Sequence, residues 1–313
     1  HTGGGIDSPR PASQRAAAFI LTAAMLTTLA APAFADIWHI EDGDITVKAG
    51  ETGNDVTQKG TTTYGDTDTI ITNSDKNTAS SHTVTIETND KNDKVEVTLK
   101  DVNIDTSSRN NAAVSVTGSG NTTIKLDGDN ALKSDIYRSG IYGSGSGSLT
   151  ISGGENDSLT AQGGSGADGI YSSGSLTISG GTVTANGDDG GRGISSRGGV
   201  TISGGSTVTA KGGDGGSFGG GSGISSFNRV AISGSTVTAN GGDSSSNSGG
   251  YGISSLDVAI SSGTVTANGG DSKDGSGGNG IYSSSGVAIS GGAVTANGGD
   301  SKDGSGGNGI YSS

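Results

Sequence analysis

Five aspartates recur at nearly one offset after a repeated Thr-Val-Thr-Ala run: Asp189, Asp214, Asp243, Asp271 and Asp300. Asn186, Asn240, Asn268 and Asn297 stand three residues before four of them. Carboxylates, amide oxygens and the carbonyls of intervening glycines are hard oxygen donors, the set that suits calcium. Asp214, Asp243, Asp271 and Asp300, completed by Asp274 and Asp303 in two identical units, are the ligands expected if the chain binds Ca2+. No established calcium-loop spacing is matched. The competing reading places these acids on long, glycine-rich, solvated loops, where they keep the protein soluble.

Threonines form a second pattern. Thr182, Thr207, Thr236 and Thr264 fall in one column, and Thr184, Thr209, Thr238, Thr266 and Thr295 in another. Threonine favours strands and stacks well on its own kind, so sheet chemistry alone accounts for such columns. A grid of hydroxyls and methyls also suits a sugar-binding face, with Thr184, Thr209, Thr238, Thr266 and Thr295 as contacts and Asn240 and Asn268 beside them. Regular Thr-x-Thr arrays on solenoids serve as ice-binding faces too, although Ala293 interrupts the first column. Aromatic platforms for sugars are scarce: Tyr171, Tyr282 and Tyr311 share one column, in which Ser195, Ser225 and Ser254 replace the ring. Stretches such as GGDGGSFGGGSG lack the lysine and following helix of a phosphate-binding loop.

These columns exist only if the chain repeats in space. Ile141, Ile170, Ile194, Ile224, Ile253, Ile281 and Ile310 are separated by 29, 24, 30, 29, 28 and 29 residues, a period that signals a solenoid. Within one unit Ile170, then Leu176 and Ile178, then Val183 and Ala185 share a parity, which is strand periodicity. Three strands per coil, small β-branched residues inside and glycine at the corners predict an all-β, single-stranded parallel β-helix. The preference of parallel crossovers makes it right-handed. Coils would stack at ~4.8 Å, bringing the aspartates of successive units close enough to repel unless something relieves them.

The alternation extends back over residues 81–140 in less regular form, and residues 141–313 carry the regular repeats. Residues 36–80 hold the first strands and the only tryptophan, Trp38, expected to close the open end of the helix as an N-terminal cap. Residues 1–35 read as a secretory signal: Arg10 and Arg15 precede an apolar run that ends in the small-x-small site Ala33-Phe34-Ala35. No methionine precedes Met25 and the sequence ends within a repeat, so a fragment of a longer protein is expected.

Composition narrows the partners. The 313 residues include 62 glycines and no cysteine, so packing, repetition or bound ions must supply the stability that disulfides give other secreted chains. A formal charge of −13 argues against nucleic acid and against anionic membranes. No membrane-spanning segment is expected in the mature chain, and the expected location is extracellular or the cell surface.

The run VTLKDVNIDTSSRNNAAVSVTGSGNTTIKLDGDNAL, followed by GSLTISGG and serial GGTVTANGG units, resembles secreted bacterial proteins described as carbohydrate-binding-domain-containing β-helix proteins. The resemblance covers roughly residues 81 to 313. It implies a right-handed parallel β-helix at the cell surface that binds extracellular polysaccharide or a host or cell-surface glycan, or acts as an adhesin, at times with calcium. It brings no catalytic motif. Pectin-degrading enzymes share this fold, and Asn103-Ile104-Asp105 and Asp188-Asp189 resemble the acidic segments of polygalacturonase-type hydrolases. Those enzymes also need a later histidine, and this chain has only His1, His39 and His82. A lyase needs a clustered base, whereas Arg192, Arg197 and Arg229 are scattered among glycines. A non-catalytic binding module is therefore expected.

Overall fold

A strand of four residues buries too little to stand alone, so each coil here is stabilised by the coil above and below. The computed structural model describes residues 34–313. The leader expected over 1–35 lies outside them except for Phe34 and Ala35, which begin the strand Phe34–His39. The strands stack in parallel as a β-solenoid of about nine turns. Among the described residues the single helical element is the 3-10 turn Ile40–Asp42.

Three strand columns run through the stack. The first contains Val84–Glu87, Val114–Thr117, Ile141–Gly143, Ile170–Ser172, Ile194–Ser196 and Ile224–Ser226, and it reaches Ile310–Ser312. The second contains Lys94–Lys100, Asn121–Asp127, Leu149–Ser152, Leu176–Ser179, Val200–Ser203 and Arg229–Ile232. In later coils the corner between these two columns straightens, and Ile253–Ile260 and Ile281–Ile289 run through both. The third column forms a sheet of its own: Asn103–Asp105, Asp129–Lys133, Ser158–Ser165, Thr182–Asp188, Thr207–Lys211, Ser235–Asn240, Gly263–Asn268 and Ala293–Asn297.

The parity read from the sequence holds. Ile170, Ile178, Val183 and Ala185 are fully buried, and their column mates Ile194, Ile202, Val208 and Ala210 follow them. Buried serines complete the corner between the first two columns. Ser196 Oγ donates to the Gly174 carbonyl at 2.8 Å, and Ser283 Oγ donates to the Leu256 carbonyl at the same distance. The hydroxyls give these carbonyls a hydrogen-bond partner.

At the N-terminal end antiparallel pairing joins the parallel stack. Ile45–Ala49 pairs in parallel with Val84–Glu87 but antiparallel with Asn54–Gln58, which turns back onto Thr61–Thr72. Trp38 packs against the core, and its indole N–H donates to Asp66 at 2.9 Å.

The glycine-rich connections differ from the solvated loops that the sequence allowed. Two glycines per coil build a continuous hydrogen-bonded row: Gly221 donates to Gly213, Gly242 to Gly221, Gly250 to Gly242, Gly270 to Gly250 and Gly278 to Gly270, at 2.8–2.9 Å. The approach is so close that a Cβ on Gly250 would lie 2.0 Å from the Gly221 carbonyl oxygen. Glycine is required there by contact, and the row is buried while the aspartates beside it remain exposed.

Candidate binding face

The third column presents three outward rows in exact register. Thr182, Thr207, Thr236 and Thr264 align, with Ala293 next in the row. Thr160, Thr184, Thr209, Thr238, Thr266 and Thr295 form the second row. Gln162, Asn186, Lys211, Asn240, Asn268 and Asn297 form the third. The inward neighbours Val183, Val208, Val237 and Val265 hold the face against the core and keep its rows aligned. All five threonines expected as sugar contacts lie on this one surface.

Asn240 and Asn268 lie there too, but they are partly committed to each other. The Asn268 amide donates to Asn240 Oδ1 and the Asn297 amide to Asn268 Oδ1, each at 2.8 Å. Such a ladder fixes the amides and spends half of their donor capacity. Gln162, Asn186 and Lys211 occupy the same row in earlier coils without that ladder, and there the surface is recessed. A groove of about 630 Å³ is lined by Lys133, Asp135, Ile136, Gln162, Ser165 and Asp188, among others. A second of about 370 Å³ shares Gln162 and Asp188 with it and adds Asn186, Lys211 and Asp214. Across the threonine rows, a cleft of about 460 Å³ opens between Glu155, Thr182, Thr207 and the paired corner glycines Gly180–Gly181 and Gly204–Gly205. The Gln162 position was readable by aligning TAQGG with TANGD; the recess was not, and the strand register shifts along it, between Gln162 and Ser165.

The aspartate column forms, and its carboxylates bond from one coil to the next. Asp214 Oδ1 accepts the backbone N–H of Asp243 at 2.9 Å, Asp243 that of Asp271 at 2.8 Å, and Asp271 that of Asp300 at 2.7 Å. Each carboxylate thus caps the coil that follows it. Asp189 departs from the row: it takes φ 45° and accepts the Ser165 hydroxyl at 3.0 Å. Asp274 and Asp303 are exposed, and among the described residues no three His, Cys, Asp or Glu side chains gather where a metal ion could be held.

Of the residues that resemble catalytic segments, Asp188 lines the groove described above. Asn103 opens the strand Asn103–Asp105; its N–H donates to Asn73 Oδ1 at 2.7 Å and its side-chain amide donates to the Lys76 carbonyl at 2.8 Å. His82 Nδ1 lies 2.9 Å from the Ile40 carbonyl, and His39 Nδ1 lies 3.0 Å from the Ser74 hydroxyl. Burial raises the Asp168 carboxyl above its ordinary range, while the backbone N–H and positive charge of Arg192 oppose the rise. On the first column Tyr142 stacks on Tyr171, and Tyr251, Tyr282 and Tyr311 form a second stack with centroids 5.0 and 5.8 Å apart. Tyr251 precedes the column isoleucine by two residues, so column counting passed it over.

Among protein families, curated proteins and solved structures, none matches this chain.

Proposed function

We propose that this chain is a secreted or cell-surface, non-catalytic module that binds polysaccharide along the third strand column. The observation that carries this reading is the register of the second and third outward rows, which place Thr184, Thr209, Thr238, Thr266 and Thr295 beside a row of amides and Lys211. A periodic row of hydroxyls, amides and an ammonium complements a ligand that is itself periodic and hydroxylated. Aspartates along the groove accept hydrogen bonds from sugar hydroxyls, and the amides and lysines donate.

Electrophoresis through gels containing hydroxyethyl cellulose, xylan, galactomannan or polygalacturonate tests the reading. Retardation by at least one polymer is expected, together with its loss in a Thr184→Lys, Thr209→Lys variant that keeps its β circular dichroism. Even migration through all four gels refutes it. Runs with millimolar calcium and with chelator test whether the aspartate column takes part, since calcium-dependent retardation should disappear in Asp271→Asn, Asp300→Asn. No new reducing ends should appear from any polymer.

A second reading has its own observation. Thr182-x-Thr184, Thr207-x-Thr209, Thr236-x-Thr238 and Thr264-x-Thr266 align over four successive coils, a two-dimensional lattice suited to ordered water. Inhibition of ice recrystallisation by a sample that binds none of the polymers would favour it.

A further inference from the structure

The corner after Asp129–Lys133 departs from its counterparts. Residues 135–138 form a turn held on several sides. The Asp135 carboxylate accepts the N–H of Asn110 at 2.6 Å and that of Ile136 at 2.7 Å. Tyr137 donates its N–H to the Ser165 carbonyl at 2.9 Å, and Gly164 donates to the Arg138 carbonyl at 3.0 Å. A Cβ on Gly164 would stand 1.9 Å from the Asp135 carbonyl oxygen, so glycine lets the two segments meet.

This clamped turn sends two large apolar side chains into water: Ile136 is 54% exposed and Tyr137 is 78% exposed. Tyr137 does so at φ 59°, a region that residues with a bulky side chain seldom enter. The other non-glycine residues with positive φ among those described are Lys59, Asp101, Asn110 and Asp189, all polar. Stability explains neither feature, because a glycine would relieve the backbone and a polar side chain would suit the exposure. A rigid, strained and exposed aromatic residue is the form a ligand platform takes.

Its neighbours indicate the ligand. Ile136 lines the groove of about 630 Å³ together with Lys133, Gln162 and Asp188, and the Tyr137 ring stands over Gly166, next to the groove residue Ser165. An apolar ring beside donors and an acceptor matches a pyranose, which has a C–H face and an edge of hydroxyls. A nucleic-acid base also stacks, but the net charge of −13 repels its backbone. We infer that the Ile136–Tyr137 turn is a sugar-stacking subsite: one pyranose of the polysaccharide lays its C–H face on Tyr137 and directs its hydroxyls toward Lys133, Gln162 and Asp188. The assignment rests on the polysaccharide reading above and gives that reading an anchoring point.

Tyr137→Gly tests it, since the change removes the ring while easing the backbone. With whichever of the four polymers retards the wild-type protein most, the expected result is an affinity about tenfold weaker at an unchanged or higher melting temperature. Tyr137→Phe should keep the wild-type affinity, and a loss there would overturn the stacking contact. Gln162→Ala examines the groove without touching the turn and should weaken binding as well. Undiminished affinity in Tyr137→Gly and Gln162→Ala overturns the subsite and leaves the polysaccharide reading standing. Failure of the wild-type protein to bind any of the four polymers overturns both.

Discussion

Asp168 and Asn279 occupy the same position of the coil, two residues before a column isoleucine, and do the same work with different charge. Asp168 Oδ1 accepts the backbone N–H of Arg192 at 2.8 Å, and Asn279 Oδ1 accepts that of Asn308 at 2.8 Å. Asp168 keeps a little accessible surface, but protein atoms crowd its carboxyl on most sides, and this burial raises its pKa. A raised carboxyl holds its proton to higher pH in the folded than in the unfolded chain. Stability therefore falls as pH rises from the unfolded value, about 3.9, through the folded one, and the ionised form is a burden at neutral pH. Asp168→Asn keeps the acceptor and removes the charge. Its melting temperature at pH 7 should rise by about 2 °C, and scans below about pH 4 should show no gain. A lower melting temperature at pH 7 would mean that the attraction to Arg192 outweighs burial. The exposed aspartates of the neighbouring row were legible as a column from spacing alone. That Asp214, Asp243 and Asp271 each cap the next coil was not legible, because the partner is a backbone N–H 28 or 29 residues away.

At the scale of the element, valine, isoleucine and alanine alternation specified the strands because side chains on a strand point to opposite faces. The glycine-rich connections follow another rule. Their residues have no side chain to sort by polarity, so composition alone suggests disorder. What orders them is the backbone itself, once neighbouring coils bring two glycine rows within hydrogen-bonding distance. This separates glycines by position. Gly250→Ala drives a Cβ into the Gly221 carbonyl and should destabilise by about 1–3 kcal/mol. Gly216→Ala meets nothing within 4 Å and should unfold within about 0.5 kcal/mol of the wild-type protein. Urea unfolding of the two variants measures the difference. Equal midpoints would mean that the packed row contributes nothing to folding.

For the whole molecule, neighbour-only contacts make the number of coils adjustable. Excision of residues 253–280 joins Gly252 to Ile281 and removes one 28-residue period, the separation of Ile253 from Ile281. The shortened protein should keep its β circular dichroism per residue and melt within a few degrees of the parent, about what the loss of one internal repeat implies. Removing only the first half of that period should abolish the transition, because the inward rows would no longer align. By itself the sequence determined the period, the inward residues, three strands per coil and the existence of the Thr, Asn and Asp rows. Each follows from spacing and parity, which are properties of the chain. Only the tertiary structure decided that Asp214, Asp243, Asp271 and Asn268 hydrogen-bond to neighbouring coils, and that a groove lined by Ile136 and Gln162 opens on the earlier coils. These depend on how segments about one coil apart meet, and contact between distant segments is fixed by register, bulges and corner glycines whose effects no local pattern records.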